Sequence, residues 1–242
     1  MLVKKFGGSS LATIERINLV ADYLNHCYQK NEKFLVVVSA MGNKTNELVT
    51  LAKQLNPSPP RREMDMLVTV GERISMALMC IALHKRDVPA LSFTGSQSGI
   101  ITSENHGSAT IKSIKPIRIK EALENRKIPI IAGFQGVSDE TKEITTLGRG
   151  GSDLSAVALA SHFNADFCEI FTDVKGVYDE DPKQNSNAKK FEHLKWNQLH
   201  DLSSKGAKVM YKEAAKYAMD KRVPLKIRSS FNFEDHGTVV KD

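Results

Sequence analysis

Four glycine-bearing segments carry the side chains best suited to chemistry. The first, Lys5-Phe6-Gly7-Gly8-Ser9-Ser10, follows a short apolar-leaning run. Paired glycines let backbone amides approach an anion, and a lysine beside them supplies a point charge for a phosphate. The GxxxxGK[ST] spacing of a Walker A loop is absent. The second, Ser39-Ala40-Met41-Gly42-Asn43-Lys44-Thr45-Asn46, offers the hydroxyls of Ser39 and Thr45 to a ligand or to a helix cap. The third runs from Thr145 to Asp153 and sets three glycines around Arg149 at the start of a helical pattern. A helix N-terminus favours anions, and arginine grips a carboxylate or phosphate with two prongs. The fourth, Thr172 to Pro182, gathers Asp173, Tyr178 and further acids. EF-hand spacing is absent, which leaves a nucleotide's sugar or base, an isolated metal, or a solvated acidic loop as its use. Gly-Gly and the capping hydroxyls also have plain structural uses; three glycines around one arginine are harder to explain that way.

Ligands of open α/β sheets bind beyond the carboxyl ends of the strands, so these loops need strands in front of them and helices behind. Strands are predicted at Leu2–Phe6, Phe34–Val38, Ala90–Phe93, Ile128–Ala132, Phe167–Phe171 and Val223–Ile227, with a last one near 237–240. Apolar spacings of three and four predict helices from Ile14 to Cys27 and, after the breaker Asn56–Pro60, from Met64 to Ile81. Further helices are expected at Pro116–Asn125, from a Ser152 cap through Ala160, and at Gly206–Asp220. Alternating strands and helices predict an α/β fold, a three-layer αβα sandwich on a mostly parallel sheet. The glycine-rich turn at 148–151 is the best boundary between two lobes, about 1–150 and 151–242.

The 242 residues are 41% hydrophobic and 26% charged, which excludes a disordered or collagen-like chain. Basic residues exceed acidic ones by 34 − 28 = 6. That excess is mild, the lysines are dispersed, and no helix-turn-helix, zinc or RNP signature appears, which argues against nucleic acid as a partner. No apolar run reaches the ~18 residues of a membrane helix, and the N-terminus lacks the apolar stretch of a secretion signal. Cys27, Cys80 and Cys168 form no CxxC pair or disulfide framework, which fits a reducing cytosol and a cytoplasmic location.

Taken together, the segments carry a resemblance. KFGGSSL, SAMGNKTN, Gly71-Glu72, SGIITSENHGSATI (98–111), GFQG (133–136), TTLGRGGSD, TDVKGVYDEDP, GAKV (206–209) and RSSFN occur in an order that resembles the catalytic domain of aspartate kinase, within the amino acid kinase superfamily. The match runs from Val3 to Val239. It implies the amino acid kinase fold, and roles residue by residue. Lys5 resembles the lysine that bridges the transferring phosphoryl group, with Gly7, Gly8 and Ser9 around the phosphates and Asp153 in the catalytic group. Ser39, Thr45, Glu72, Phe134, Arg149 and Ser152 resemble substrate contacts, Glu72 near the ammonium group and Arg149 on a carboxylate. Thr172, Asp173, Tyr178, Lys183 and Lys208 resemble nucleotide-side residues. The implied cofactors are ATP and Mg2+ held through its phosphates, without a dedicated metal cage.

The implied reaction moves the γ-phosphoryl group of ATP to the side-chain carboxylate of L-aspartate, the first step of aspartate-family amino acid biosynthesis. The acceptor has a pKa near ~4 and needs no general base, in keeping with seven scattered histidines. His106, in a loop, is expected to be solvated. The alternatives are a kinase for another small acid or carbamate, and a weakly catalytic aspartate- or nucleotide-binding regulatory partner. A homodimer and a separate regulatory subunit are the open protein partners. Relative to the family, the chain stops at Asp242 without ACT regulatory domains. It reads Met210-Tyr211-Lys212 where Leu-His-Pro is usual, Lys183 where arginine is frequent and Trp196 where tyrosine is common. It is also short over 41–70, implying a reduced lid over the acceptor.

Overall fold

Five consecutive apolar residues, Phe34–Val38, form strand β2 and are all buried, the pattern of an inner strand covered on both faces. On one side β2 pairs in parallel with β1 (Leu2–Phe6), and on the other with β6 (Ile128–Ala132). Strand β3 (Ala90–Phe93) continues beyond β6, and β9 (Phe167–Thr172) and β11 (Leu225–Ser229) continue beyond β1, all parallel. Strand β12 (Thr238–Val240) returns antiparallel to β11, and β10 (His193–Leu194) lies beside it. Among the described residues the central sheet therefore has the order β10-β12-β11-β9-β1-β2-β6-β3. The computed structural model describes residues 1–180, 182, 184–185, 187–205 and 210–242.

Helices cover both faces. Helix α1 (Ile14–Gln29) presents Ile17, Val20, Ala21 and Leu24 to one face, where they join Phe6, Val36 and Val38. Helices α2 (Lys44–Leu55) and α3 (Arg61–Val68) follow, and α4 (Val70–His84) packs Met76, Met79 and Leu83 into the same core. On the opposite face, α5 (Ile117–Glu124), α6 (Gly151–His162), α7 (Trp196–Ser204) and α8 (Lys212–Lys221) close over Val3, Leu35, Val37 and Ile170. This is the expected three-layer sandwich. Strand alternation divides the two adjacent lysines of β1. Lys4 goes to the α1 face with Phe6 and meets Tyr23; Lys5 goes to the α6 face with Val3.

Several expectations need correction. The single helix expected over 64–81 is two, α3 and α4, joined at Thr69. Together, Arg61–His84 is long and apolar enough to cross a membrane by length and composition, and 56% of its most apolar window is buried inside the fold. A core helix passes the same test, because a helix buried in protein and one buried in lipid both need apolar faces. Ser152 does not cap α6. Gly150 does, at φ 72°, a left-handed backbone that glycine adopts without steric cost. The helix expected from Gly206 begins instead at Lys212, with Tyr211 extended before it; residues 206–209 lie outside the described residues.

A second, four-stranded sheet has no counterpart in the sequence expectations. It runs β5 (Ile111–Ile114), β4 (Ile100–Thr102), β7 (Gln135–Ser138) and β8 (Ile144–Thr146). Its strands are three or four residues long and largely polar, such as QGVS and ITT, too short to show a period of two. β7 follows β6 directly, and β8 leads into the Arg149 loop.

Candidate active site

The glycine-rich loops meet along the carboxyl edge of the central sheet. Backbone bonds link them: Gly7 N–H donates to the Phe171 carbonyl, Ser39 N–H to Phe6, Gly42 N–H to Gly8, Gly133 N–H to Val38, and Ser230 N–H to Thr172. Parallel strands end at one level, so segments more than 200 residues apart in sequence share one rim.

At the centre of that rim Lys5 Nζ lies 2.6 Å from Asp153 Oδ1, with the two side chains 11% and 10% exposed. Asp153 stands in the first turn of α6. The ammonium lies beneath the next loop, since a Cβ on Gly7 would sit 3.5 Å from Lys5 Nζ. The cation is thus held by a buried partner at the strand's end, pointed where a phosphate could meet the Gly7-Gly8 backbone. A positioned charge of this kind needs little reorganisation as negative charge develops.

Glu72 is buried in the first turn of α4. Its Oε1 accepts from the Ala40 amide at 3.1 Å, while Oε2 is buried with no hydrogen-bond partner. Burial pushes the carboxyl up to about 7, against the pull of backbone hydrogen bonds from Glu72 itself and Ala40. A buried acceptor without a donor is costly, and an ammonium group would satisfy it. The folded protein binds a proton that the unfolded chain releases near the ordinary value of 4.5. The ligand-free protein should therefore lose stability as pH rises from about 4.5 to about 7, by about 3 kcal/mol in all, and level off above. Glu72→Gln should flatten that slope in urea titrations between pH 5 and 8; an unchanged slope removes Glu72 as its source.

Arg149 is exposed, and makes no ion pair with a described residue. Its loop is clasped from behind. Phe134 holds φ 69°, unusual for a residue with a Cβ. Its amide donates to Ser155 Oγ at 3.1 Å, and its carbonyl accepts from Leu147 N–H at 2.9 Å. Gly133 approaches Ser152 so closely that a Cβ would lie 2.8 Å from the Ser152 Cβ. The GFQG segment, Ser152, Asp153 and the Arg149 loop are consequently one packed unit. Ser39 is half-buried beside Ala40, and Thr45 is half-buried in the first turn of α2.

A family model described as the amino acid kinase family matches residues 1–229. The chain belongs to the amino acid kinase family. An aspartokinase from Corynebacterium glutamicum is 49% identical over 240 residues, 99% of this chain and 57% of that protein. The crystal structure of an aspartate kinase from Synechocystis superposes with a TM-score of 0.86 at 45% identity, over 99% of this chain and 40% of that one. Aspartokinase III of E. coli, solved with aspartate and ADP, gives 0.90 at 27% identity, over all of this chain and 64% of that one. The chain spans a little over half the length of the Corynebacterium relative.

On the other half of this family member's rim, Thr172 ends β9 and donates its hydroxyl to Asp173 Oδ1 at 3.2 Å. Thr172's carbonyl accepts from Ser230, which ties the loop to the RSSFN segment. Tyr178 is half-buried and bridges to Lys190. Ser9 is exposed at the start of the short 3-10 turn Ser9–Leu11. Lys183 and Lys208 lie outside the described residues. Among the described residues no three His, Cys, Asp or Glu side chains gather to hold a metal.

Sequence reasoning missed Asp65. It is 2% exposed in α3 and accepts four hydrogen bonds, including one from His106. His106, expected to be solvated, is instead packed against this carboxylate, its side chain 20% exposed. The available signal was an acid placed between Met64 and Met66 in an apolar helical pattern.

Proposed function

We propose that the chain is an aspartate kinase catalytic unit, transferring the γ-phosphoryl group of ATP to the side-chain carboxylate of L-aspartate to form 4-phospho-L-aspartate and ADP. The observation that carries this reading is Glu72: a buried carboxylate with one unpartnered oxygen suits an acceptor bearing an ammonium group, which a carbamate lacks. The likeness to aspartokinases across 99% of the chain supports the same substrate.

In this reading a carboxylate oxygen of aspartate forms the new P–O bond as the bond from the γ-phosphorus to the ADP oxygen breaks. No proton moves, because the acceptor is already ionised. The barrier is repulsion between two anions, so catalysis consists of positioning and neutralising charge. Lys5, held by Asp153, meets the γ-phosphoryl oxygens, and the backbone of Gly7, Gly8 and Ser9 cradles the phosphates. Mg2+ bound through the nucleotide's phosphates would neutralise part of their charge. Glu72 takes the ammonium of aspartate, Arg149 its α-carboxylate, and Ser39, Thr45, Phe134 and Ser152 line the acceptor. Thr172, Asp173, Tyr178, Lys183 and Lys208 hold the nucleoside. We assign the acceptor side to about residues 1–150 and the nucleotide side to about 151–242. The wider proposal is a cytoplasmic biosynthetic enzyme, acting as a homodimer and open to a separate regulatory subunit.

Incubation with Mg-ATP, a panel of amino acids and hydroxylamine tests this directly, since hydroxylamine converts an acyl phosphate to a hydroxamate. Hydroxamate with aspartate alone is expected. Product with a different acid would shift the substrate, and binding without product would favour a regulatory partner. Arg149→Ala should raise the aspartate KM about 10- to 100-fold, the cost of a lost hydrogen bond to a charged group. An unchanged aspartate saturation curve would refute its role.

A further inference from the structure

We propose that Asp65 is a positioning residue for the acceptor side: it touches no substrate, but fixes the loop carrying Arg149 relative to the helix pair carrying Glu72. This rests on the reading of Arg149 and Glu72 above.

A carboxylate buried in an apolar helix face is costly unless its oxygens are satisfied. Here they are satisfied by two separate loops. Asp65 Oδ1 accepts from the Thr146 hydroxyl at 2.6 Å, and Oδ2 accepts from the Thr146 amide at 3.1 Å, the Gly107 amide at 3.1 Å and His106 Nδ1 at 2.9 Å. Thr146 is the last residue of β8, three before Arg149. The two loops also bind each other. Ala109 N–H donates to the Thr146 carbonyl at 2.8 Å, and Gly148 lies against Gly107, whose carbonyl oxygen would be 3.2 Å from a Cβ at 148. Asp65 thus anchors the stem of the Arg149 loop directly through Thr146, and indirectly through the 106–109 turn.

The same helix pair leads to Glu72. After Thr69, whose carbonyl accepts from Gln135 Nε2 at 3.2 Å, α4 begins and Glu72 follows in its first turn. Glu72 and Arg149 are far apart in sequence and lie on different elements. The Asp65 carboxylate is the polar junction that ties α3 to the Arg149 stem. The geometry needs an acceptor of several bonds at one point, which no apolar side chain supplies.

The test uses the full chain and two readouts. Trypsin cleaves after arginine, and Arg149 is exposed, so cleavage at the Arg149–Gly150 bond, followed by mass spectrometry, reports loop order whatever the substrate. Asp65→Ala should speed that cleavage at least about tenfold, the consequence of losing buried hydrogen bonds at the stem. Circular dichroism establishes that the variant is folded. Should Asp65→Ala fail to fold, Thr146→Val, which removes one bond isosterically, carries the test with a smaller change of the same sign. Unchanged cleavage in the folded variant overturns the proposal. The second readout is kinetic. Asp65→Ala should raise the aspartate KM about tenfold, leave the ATP KM within about twofold, and add nothing further in an Arg149→Ala background. Equal rises in both KM values, or full additivity with Arg149→Ala, would overturn it. Faster cleavage with an unmoved aspartate KM would keep Asp65 as the loop's anchor and reject Arg149 as an acceptor contact.

Discussion

Lys5→Ala is expected to lower turnover about a thousandfold while ATP binding weakens far less. Two effects add. The substitution removes a cation whose interaction with a phosphoryl oxygen about 4 Å away is worth about 4 kcal/mol in a partly buried site, and it leaves Asp153 as an uncompensated anion at the same spot. ATP retains its other contacts, so its dissociation constant should move by no more than about tenfold. Asp153→Asn separates the two effects: it keeps the Lys5 charge but loosens its position, and should cost only about 10- to 100-fold. Rates come from the hydroxamate assay and ATP binding from calorimetry. Near-normal turnover in Lys5→Ala would remove Lys5 from the mechanism.

The neighbouring lysine predicts a different outcome. Lys4 is buried on the opposite face of β1, 2.8 Å from Glu169, which also accepts from Arg228 at 2.9 Å. Burial by itself would strip charge from all three, but Glu169 holds both cations in their charged forms and they hold it in its own. Lys4 and Arg228 stand above their ordinary values, and Glu169 below its own. Glu169→Ala would leave the part-buried Arg228 without a carboxylate and Lys4 with only the partly exposed Glu32, 3.2 Å away, at a cost of about 3–5 kcal/mol in unfolding free energy. The double variant Lys4→Met/Glu169→Gln should recover only part of that, since it removes one buried cation but still leaves Arg228 without its carboxylate. Denaturant titration reads both. A Glu169→Ala loss below about 1 kcal/mol would show that the cluster contributes little to stability. Because Glu169's folded value is depressed, its contribution is present above the ordinary carboxylate range and fades as pH falls through the folded value.

Most of the sandwich was legible because its inner strands are uniform. FLVVV and IPIIA, inner strands of five buried residues each, were bounded correctly, and so was ALSF at the edge of the sheet, between Pro89 and Thr94. The small sheet was not legible, because three-residue strands such as Ile144–Thr146 carry no periodicity. The first turn of α6 was misread at Ser152, since a left-handed glycine can begin a helix without a capping side chain.

By itself, the sequence determined most of the central strands, three of the four loops at their carboxyl ends and, through the order of its motifs, the family. Those are local matters of residue type and spacing, which a linear chain records. Only the tertiary structure decided which of two adjacent lysines faces the acid of α6, because alternation on a strand acquires meaning only once each face has a partner. It alone left one oxygen of Glu72 buried without a donor, and drew a helix, a turn and a strand end together on Asp65. Hydrogen bonds between residues 41 to 81 positions apart follow from packing, and packing is not written in any one segment.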